Sequence, residues 1–281
     1  MGKTNLKLKT TLAGICLTVA ALPAVAGTLF IGTDTEEFNN AAGSYLFKVT
    51  VNGANFVSQQ NIPLGFALNG LGDGPGFLYA GAPQTNTLNT VGYDGSLLTT
   101  TTAGFANTCC NEEMQFFGGK LYHAHWADNI QQIDPTTGAV LALFTQSDVV
   151  GMAQVGSDLW ISHWGAREVG IWNPTTNTFT NKFNTPDNAG ALAFDSSSNI
   201  IWVGQLGGMV IPYDVSGNQL NAGFNALAPL IAQGLTLDTV DGMTFQGESS
   251  QPVPGGQVPE PSVLALIGVG LLAAGIARHK K

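Results

Sequence analysis

Two His-Trp pairs, His125-Trp126 and His163-Trp164, carry the side chains best suited to chemistry, and they stand 38 positions apart. An imidazole can act as a general base, which would make His125 and His163 the catalytic residues of a lyase or hydrolase. An indole ring can stack on a sugar ring while the neighbouring imidazole hydrogen-bonds its hydroxyls. In a third interpretation, these side chains only fill the wide outer end of a structural repeat.

An oxygen-rich segment contains Asp34, Glu36 and Glu37. Ca²⁺ binds six to eight oxygen ligands, so this segment is a candidate Ca²⁺ site, although no cofactor is predicted to be required. The spacing is not that of an EF-hand, and a solvated acidic loop is the alternative. Cys109 and Cys110 are adjacent, and in an oxidising compartment they predict a vicinal disulfide. Two free thiols, or a metal site shared with nearby histidines, remain the alternatives.

The charge balance excludes nucleic acid as a partner. The chain of 281 residues has 19 acidic and 10 basic side chains, a formal net charge of −9, whereas binding to phosphates requires a basic surface. Between residues 27 and 258, four basic residues face eighteen acidic ones. The sequence also has no G-x-S-x-G or H-E-x-x-H motif and no glycine-rich phosphate loop. These observations favour a binding protein over an enzyme.

A repeat of about forty residues must position these side chains. Aromatic residues of one recurring β-run, Tyr79, Tyr122, Trp160 and Trp202, follow each other at intervals of 43, 38 and 42 residues. Turn sequences follow a second recurring run, as in the segment 133–140, Ile-Asp-Pro-Thr-Thr-Gly-Ala-Val. Four short β-runs per repeat are typical of the blades of a β-propeller.

The repeats predict an all-β, five-bladed propeller over residues 27–248. Residues 241–247 have no strands after them and residues 28–60 have no first strand before them, so the two ends should complete one blade. The first strands of the other blades are predicted at Phe66-Ala-Leu, Met114-Gln-Phe, Met152-Ala-Gln and Leu192-Ala-Phe. Alignment of the blades places five residues at equivalent positions near the end of the second strand, namely Thr33, Ala82, His125, His163 and Gln205. His123 aligns with apolar residues and is predicted to be buried.

The blades resemble YVTN/NHL-type propellers, most clearly in segment 133–140. That resemblance supports the fold and implies little about activity, because propellers serve both binding and catalysis. The aligned positions near the second-strand ends predict one ligand surface. Its members are His125, Trp126, His163, Trp164 and Gln205.

Residues 1–26 are predicted to be a signal peptide. Lys3, Lys7 and Lys9 precede an apolar stretch, and Ala24-Val25-Ala26 is an A-x-A cleavage site before Gly27. The chain is therefore expected to cross the inner membrane. A flexible Pro/Gly-containing linker follows the propeller over residues 249–258.

The C-terminal segment 259–281 begins with Pro259-Glu260-Pro261, continues as an apolar run, and ends in a basic cluster that begins with Arg278. The run predicts a short transmembrane helix with its basic end in the cytoplasm. This order of features resembles the PEP-CTERM sorting tail. The resemblance implies recognition of Pro259, Glu260 and Pro261 by an exosortase, with Arg278 as the stop, in a Gram-negative bacterium that makes extracellular polysaccharide.

Together these features predict a non-enzymatic protein of the cell envelope, surface or extracellular matrix. Its propeller would bind or organise extracellular polysaccharide and other biofilm components. The alternatives are an exported lyase or hydrolase that uses His125 and His163, and a purely structural surface protein with no specific ligand.

Overall fold

The computed structural model of the chain describes residues 26–33, 44–81, 86–104, 111–125, 129–235 and 239–250. Within them, twenty strands form five antiparallel four-stranded sheets, as the repeat predicts. Each sheet is one blade, with its first strand innermost and its fourth strand at the outer edge.

The strands are numbered along the chain. Blade 1 contains β20 (Gly242–Phe245), β1 (Ala26–Thr33), β2 (Tyr45–Asn52) and β3 (Asn55–Pro63). Blade 2 contains β4 (Leu71–Asp73), β5 (Leu78–Gly81), β6 (Thr87–Val91) and β7 (Leu97–Thr102). Blade 3 contains β8 (Asn111–Phe117), β9 (Lys120–His125), β10 (Asn129–Ile133) and β11 (Val140–Thr145). Blade 4 contains β12 (Val149–Val155), β13 (Asp158–His163), β14 (Glu168–Asn173) and β15 (Thr178–Asn184). Blade 5 contains β16 (Leu192–Asp195), β17 (Ile200–Gly204), β18 (Met209–Asp214) and β19 (Phe224–Asn225).

The two ends of the propeller close one blade, as predicted. β20 pairs antiparallel with β1, with Leu29 opposite Phe245 and Gly32 opposite Gly242. This pairing covers the open edges that β1 and β20 would otherwise expose. The segment between blade 5 and β20 contains a one-turn helix, α1 (Ala228–Ile231), and adds no further blade among the described residues.

The predicted start of blade 2 at Phe66 is wrong, because its first strand is β4, which begins at Leu71. Leu71 precedes the aromatic Tyr79 by eight residues, the same interval that separates Met114 from Tyr122. Because glycines occupy alternate positions here, this segment lacks the run of β-branched and aromatic residues that predicts a strand. One of them, Gly72, is required by packing, since a Cβ there would lie 2.2 Å from the carbonyl oxygen of Met114 in the next blade.

The core is divided into seams between neighbouring blades. The seam between blades 1 and 5 contains Leu29, Phe47 and Trp202, all fully buried. The seam between blades 3 and 4 contains Tyr122, Ile161 and Trp172. Because side chains alternate across a strand, successive residues of each strand enter the seams on opposite sides of the blade.

Asx turns close the hairpins between third and fourth strands, as the turn sequences predict. Each side-chain oxygen accepts a hydrogen bond from the backbone N–H two residues on, which favours the reversal. The N···O distances are 3.0 Å at Asp94, 2.8 Å at Asp134, 2.8 Å at Asn173 and 2.9 Å at Asp214.

Two faces follow from the strand directions. The upper face carries the loops that leave the second strands and those that enter the first strands. The lower face carries the start of β1 at Ala26 and the 3₁₀ turn Glu248–Ser250 that follows β20. Among the described residues, no helix is long and apolar enough to cross a membrane. The predicted signal peptide, up to residue 25, and the predicted tail, 259–281, lie outside the described residues.

Candidate functional site

Several predicted site residues lie outside the described residues, and their roles stay predictions. These are Asp34, Glu36, Glu37, Ala82, Cys109, Cys110 and Trp126. The described members of the predicted ligand surface are His125, His163, Trp164 and Gln205. Thr33, His125 and His163 each end a second strand, as the blade alignment predicts.

The structure places His125 and His163 in different seams. His125 shares a strand face with Leu121, which packs in the seam between blades 2 and 3. His163 shares a face with Ile161, which packs between blades 3 and 4. His125 is 6% exposed, whereas His163 is half-buried. One blade therefore separates the two imidazoles, an arrangement that does not suit a shared catalytic pair.

His123 is fully buried, as predicted. Burial, followed by the neighbouring His125, lowers the pKa of His123 to about 3, while a hydrogen bond with Gln131 opposes this shift. The ring centroids of His123 and His125 lie 6.4 Å apart. Both imidazoles thus lie on the buried face of β9 that borders the seam between blades 2 and 3. Gln205 is also buried, at 4% exposure, and so does not present its side chain to solvent.

The upper end of blade 4 is the part of the predicted surface that reaches solvent. His163 and Trp164 are both half-buried. His163 Nδ1 lies 2.9 Å from the carbonyl oxygen of Ser147. The imidazole packs edge-on against Phe179, with 4.5 Å between the two ring centroids. The backbone N–H of Trp164 donates to the carbonyl oxygen of Asp148 at 2.9 Å, and Gly165 donates to the Asp148 carboxylate. These contacts fix the loop after β13 against the loop that enters β12.

The loop itself and the upper parts of β14 and β15 carry polar side chains that hydrogen-bond. The Arg167 Nη1 donates to the carbonyl oxygen of Pro186 at 2.9 Å. Asn181 Nδ2 donates to Glu168 Oε1 at 3.3 Å and to Asn184 Oδ1 at 3.0 Å. Amide, carboxylate and guanidinium groups can hydrogen-bond hydroxyls, and an indole can stack on a ring. We call the group His163, Trp164, Arg167, Glu168 and Asn184 the blade 4 rim.

Two buried carboxylates that the sequence analysis did not single out occupy the centre of the propeller. Glu113 on β8 is fully buried and accepts backbone N–H groups from Met152 at 2.9 Å, Leu192 at 2.6 Å and Met243 at 2.8 Å. Burial raises the pKa of Glu113 well above its usual value, and the three N–H donors oppose this rise. Glutamate is depleted in strands, and no local pattern indicates that it binds three other blades.

Glu248 lies in the 3₁₀ turn after β20. Its carboxylate accepts N–H groups from Gln154 at 2.8 Å, Phe194 at 3.2 Å and Phe245 at 3.0 Å. Burial raises the pKa of Glu248 to about 8, again against these donors. Beside it, Ser249 donates through both its backbone N–H and its hydroxyl to the Asp73 carboxylate, at 3.1 and 2.8 Å. The folded body therefore extends to Ser249, one residue past the predicted boundary at residue 248.

Among the described residues, no cluster of three or more His, Cys, Asp or Glu side chains could hold a metal ion. The predicted Ca²⁺ ligands Asp34, Glu36 and Glu37 lie outside the described residues, so the site stays a prediction. Glu113 and Glu248 are the two carboxylates at the propeller axis, and we call them the axial carboxylates. They bind backbone N–H groups, which gives them a structural role in joining the blades.

The fold and the C-terminal sequence define an all-β, five-bladed propeller that carries a sorting tail. Residues 257–281 match the PEP-CTERM protein-sorting motif, which confirms the resemblance of the tail. The motif implies processing by an exosortase and membrane anchoring, and it indicates export to the cell envelope. No curated protein matches the chain.

Solved structures are similar to the propeller body at low sequence identity. A chain of a nidogen/laminin complex has a TM-score of 0.53 at 11% identity, over 79% of this chain and 98% of that one. Glutaminyl cyclase of Myxococcus xanthus has a TM-score of 0.45 at 15% identity, over 57% and 76%. A streptogramin B lyase has a TM-score of 0.41 at 12% identity, over 54% and 53%. At such identities the likeness concerns the fold alone.

Proposed function

We propose that this protein is a non-enzymatic binding module of the Gram-negative cell envelope, and that it binds and organises extracellular polysaccharide in the biofilm matrix. The blade 4 rim is the contact surface. The observation that carries the proposal is the half-buried Trp164 in the upper-face loop after β13, which a backbone hydrogen bond to the carbonyl oxygen of Asp148 holds in place. The last described turn, Glu248–Ser250, lies on the lower face, opposite the rim, so anchoring through the sorting motif that follows it in sequence would leave the rim available to the matrix.

A saccharide fits this surface better than a nucleic acid or an anionic lipid does. Four basic residues against eighteen acidic ones would repel a phosphate-rich partner. Saccharide hydroxyls instead need planar side chains that donate and accept hydrogen bonds, which Asn184, Arg167 and Glu168 provide. An indole can contribute about 0.5 to 1.5 kcal/mol beyond its buried area when it stacks on a ring.

The test is a calorimetric titration of the full chain in detergent with the polysaccharide of the producing organism. We expect saturable binding, and we expect W164A to lower the affinity at least tenfold. The matched control is F56A, which removes a 45% exposed aromatic ring from the outer strand of blade 1 and should leave the affinity unchanged. Equal binding by W164A and the unmodified chain would overturn the assignment to the blade 4 rim, and no binding would overturn the function.

A second arm tests the predicted Ca²⁺ site. If Asp34, Glu36 and Glu37 bridge a cation to the polysaccharide, EDTA should abolish binding and added Ca²⁺ should restore it. Binding that is insensitive to EDTA would exclude the cation bridge and leave the rim as the proposed surface. The alternative, a lyase or hydrolase, would require the polysaccharide to be shortened during the titration, and H125A/H163A would have to stop that reaction.

A further inference from the structure

A cleft of about 430 Å³ opens on the lower face between blades 1 and 5. Three segments line it: the start of β1 (26–28), the end of β16 with its following turn (194–197), and the end of β20 with its following turn (245–248). The N-terminal strand, the axial Glu248 and blade 5 therefore meet at this cleft. It lies on the face opposite the blade 4 rim.

Asp195 brings an incompletely paired carboxylate to the cleft. The residue is 1% exposed. Its Oδ1 accepts the backbone N–H of Ser197 at 2.9 Å, the Ser197 hydroxyl at 2.7 Å and the N–H of Ser198 at 3.2 Å. Its Oδ2 is buried and has no hydrogen-bond partner among the described residues. A buried carboxylate oxygen without a donor is unfavourable, so this atom needs a donor.

The side chain of Asp195 faces the N-terminal strand. Ala193, two residues earlier on β16, packs in the seam with Leu29 of blade 1. Alternation along the strand directs Asp195 to the same side. Gly27 faces this seam too, because a Cβ on Gly27 would lie 2.2 Å from the ring of Phe245. A buried carboxylate oxygen without a donor attracts an ammonium group, which donates strong charge-assisted hydrogen bonds.

The sequence supplies such a group at this place. Cleavage of the predicted signal peptide after Ala26 converts the amide nitrogen of Gly27 into an α-ammonium, which carries one positive charge and three N–H donors. Removal of Ala26 also enlarges the cleft at the position where that charge forms, since Ala26 is one of its lining residues.

We propose that this cleft is a binding site for an ammonium group, and that its occupant is the α-amino group of Gly27 created by signal cleavage, paired with Asp195 Oδ2. Maturation would then lock β1 against blade 5. The precursor, in which Gly27 carries a peptide bond, lacks this ion pair. The proposal depends on cleavage before Gly27 and is independent of polysaccharide binding.

The test measures the α-amino group of the full mature chain in detergent. N-terminal sequencing should give Gly27 first. The rate of acetylation of that amine as a function of pH, followed by mass spectrometry of the N-terminal peptide, gives its pKa. We expect a pKa at least one unit above the ordinary range of about 7.7 to 8.0. D195N should return it to that range, and the matched control D134N, a hairpin aspartate outside the cleft with the same Asx bond, should not change it.

A second measurement needs no variant at Asp195. Mature chain that has been acetylated at Gly27 should melt several degrees below the unmodified chain at pH 7. The proposal is overturned by an ordinary α-amino pKa, by a mature chain that begins at another residue, or by equal melting temperatures. Saturable binding of methylammonium to the mature chain would also overturn it, because the cleft would then be vacant.

Discussion

Glu113 and Glu248 bind the same three inner strands at positions two residues apart. Glu113 accepts N–H groups from Met152, Leu192 and Met243, and Glu248 accepts those from Gln154, Phe194 and Phe245. Two residues span about 6.6 Å along a strand, so the carboxylates occupy successive levels of the propeller axis. They supply acceptors to inner-strand N–H groups that no neighbouring strand can reach.

Loss of the Glu113 carboxylate should destabilise the fold strongly. E113A leaves three buried N–H donors without an acceptor, at a cost of about 1 to 3 kcal/mol each. E113Q keeps one acceptor oxygen and should be less destabilising than E113A. Urea unfolding followed by circular dichroism measures both. E168A, which removes a partly exposed carboxylate of the rim, is the control and should change the free energy of unfolding little. If E113A has the same free energy of unfolding as the unmodified chain, the hydrogen bonds to Glu113 are not needed for stability.

Stability should depend on pH through Glu248. Its pKa rises from about 4.5 in the unfolded chain to about 8 in the folded protein, chiefly through burial. The stabilisation linked to the protonated form is complete below about pH 4.5 and is lost as the pH rises to 8, with a slope of up to about 1.4 kcal/mol per pH unit.

The comparison that isolates this effect is the unmodified chain against E248Q, which cannot titrate at that position. Their difference in free energy of unfolding, measured in urea at pH 5, 6.5 and 8, should shift in favour of E248Q as the pH rises. A difference that stays constant, or that shifts the other way, contradicts the assignment to Glu248.

The residues after β20 should be necessary for full stability. A chain that ends at Gly247 loses the Glu248 carboxylate and the two bonds from Ser249 to Asp73, whereas a chain that ends at Ser250 keeps them. We expect the shorter chain to melt about 10 °C lower, since about 2 to 4 °C correspond to each kcal/mol in a domain of this size. Differential scanning calorimetry distinguishes the two, and equal melting temperatures would exclude a role for this turn.

Substitution of Gly72 by alanine should force blades 2 and 3 apart. The new Cβ would lie 2.2 Å from the carbonyl oxygen of Met114, a backbone atom that cannot move alone. Overpacking of this kind costs about 1 to 3 kcal/mol. G65A is the matched control, since no atom lies within 4 Å of a Cβ placed there. Thermal unfolding of both variants tests the prediction, which fails if G72A has the same melting temperature as the unmodified chain.

The sequence predicted the number of blades, the closure by the termini and the hairpin turns because each depends on local patterns. The turn at Asp134, for example, requires only a side chain that bonds the N–H two residues on. The same approach missed β4, because the glycines on both sides of Leu71 are typical of a turn. Gly72 is glycine for another reason, its close contact with Met114 in the next blade, which no local pattern shows.

The candidate site was only partly predictable, because the burial of its side chains depends on contacts with the next blade that no local pattern shows. Blade alignment placed His125 and His163 at equivalent strand ends, and equivalent residues face equivalent but separate seams. Whether a side chain at such a position is buried, as His125 is, or reaches solvent, as Trp164 does, depends on the neighbouring blade. The sequence by itself determined the propeller and its sorting tail. Only the tertiary structure decided that Glu113 and Glu248 join the blades, because their N–H partners come together only when the ring of blades is closed.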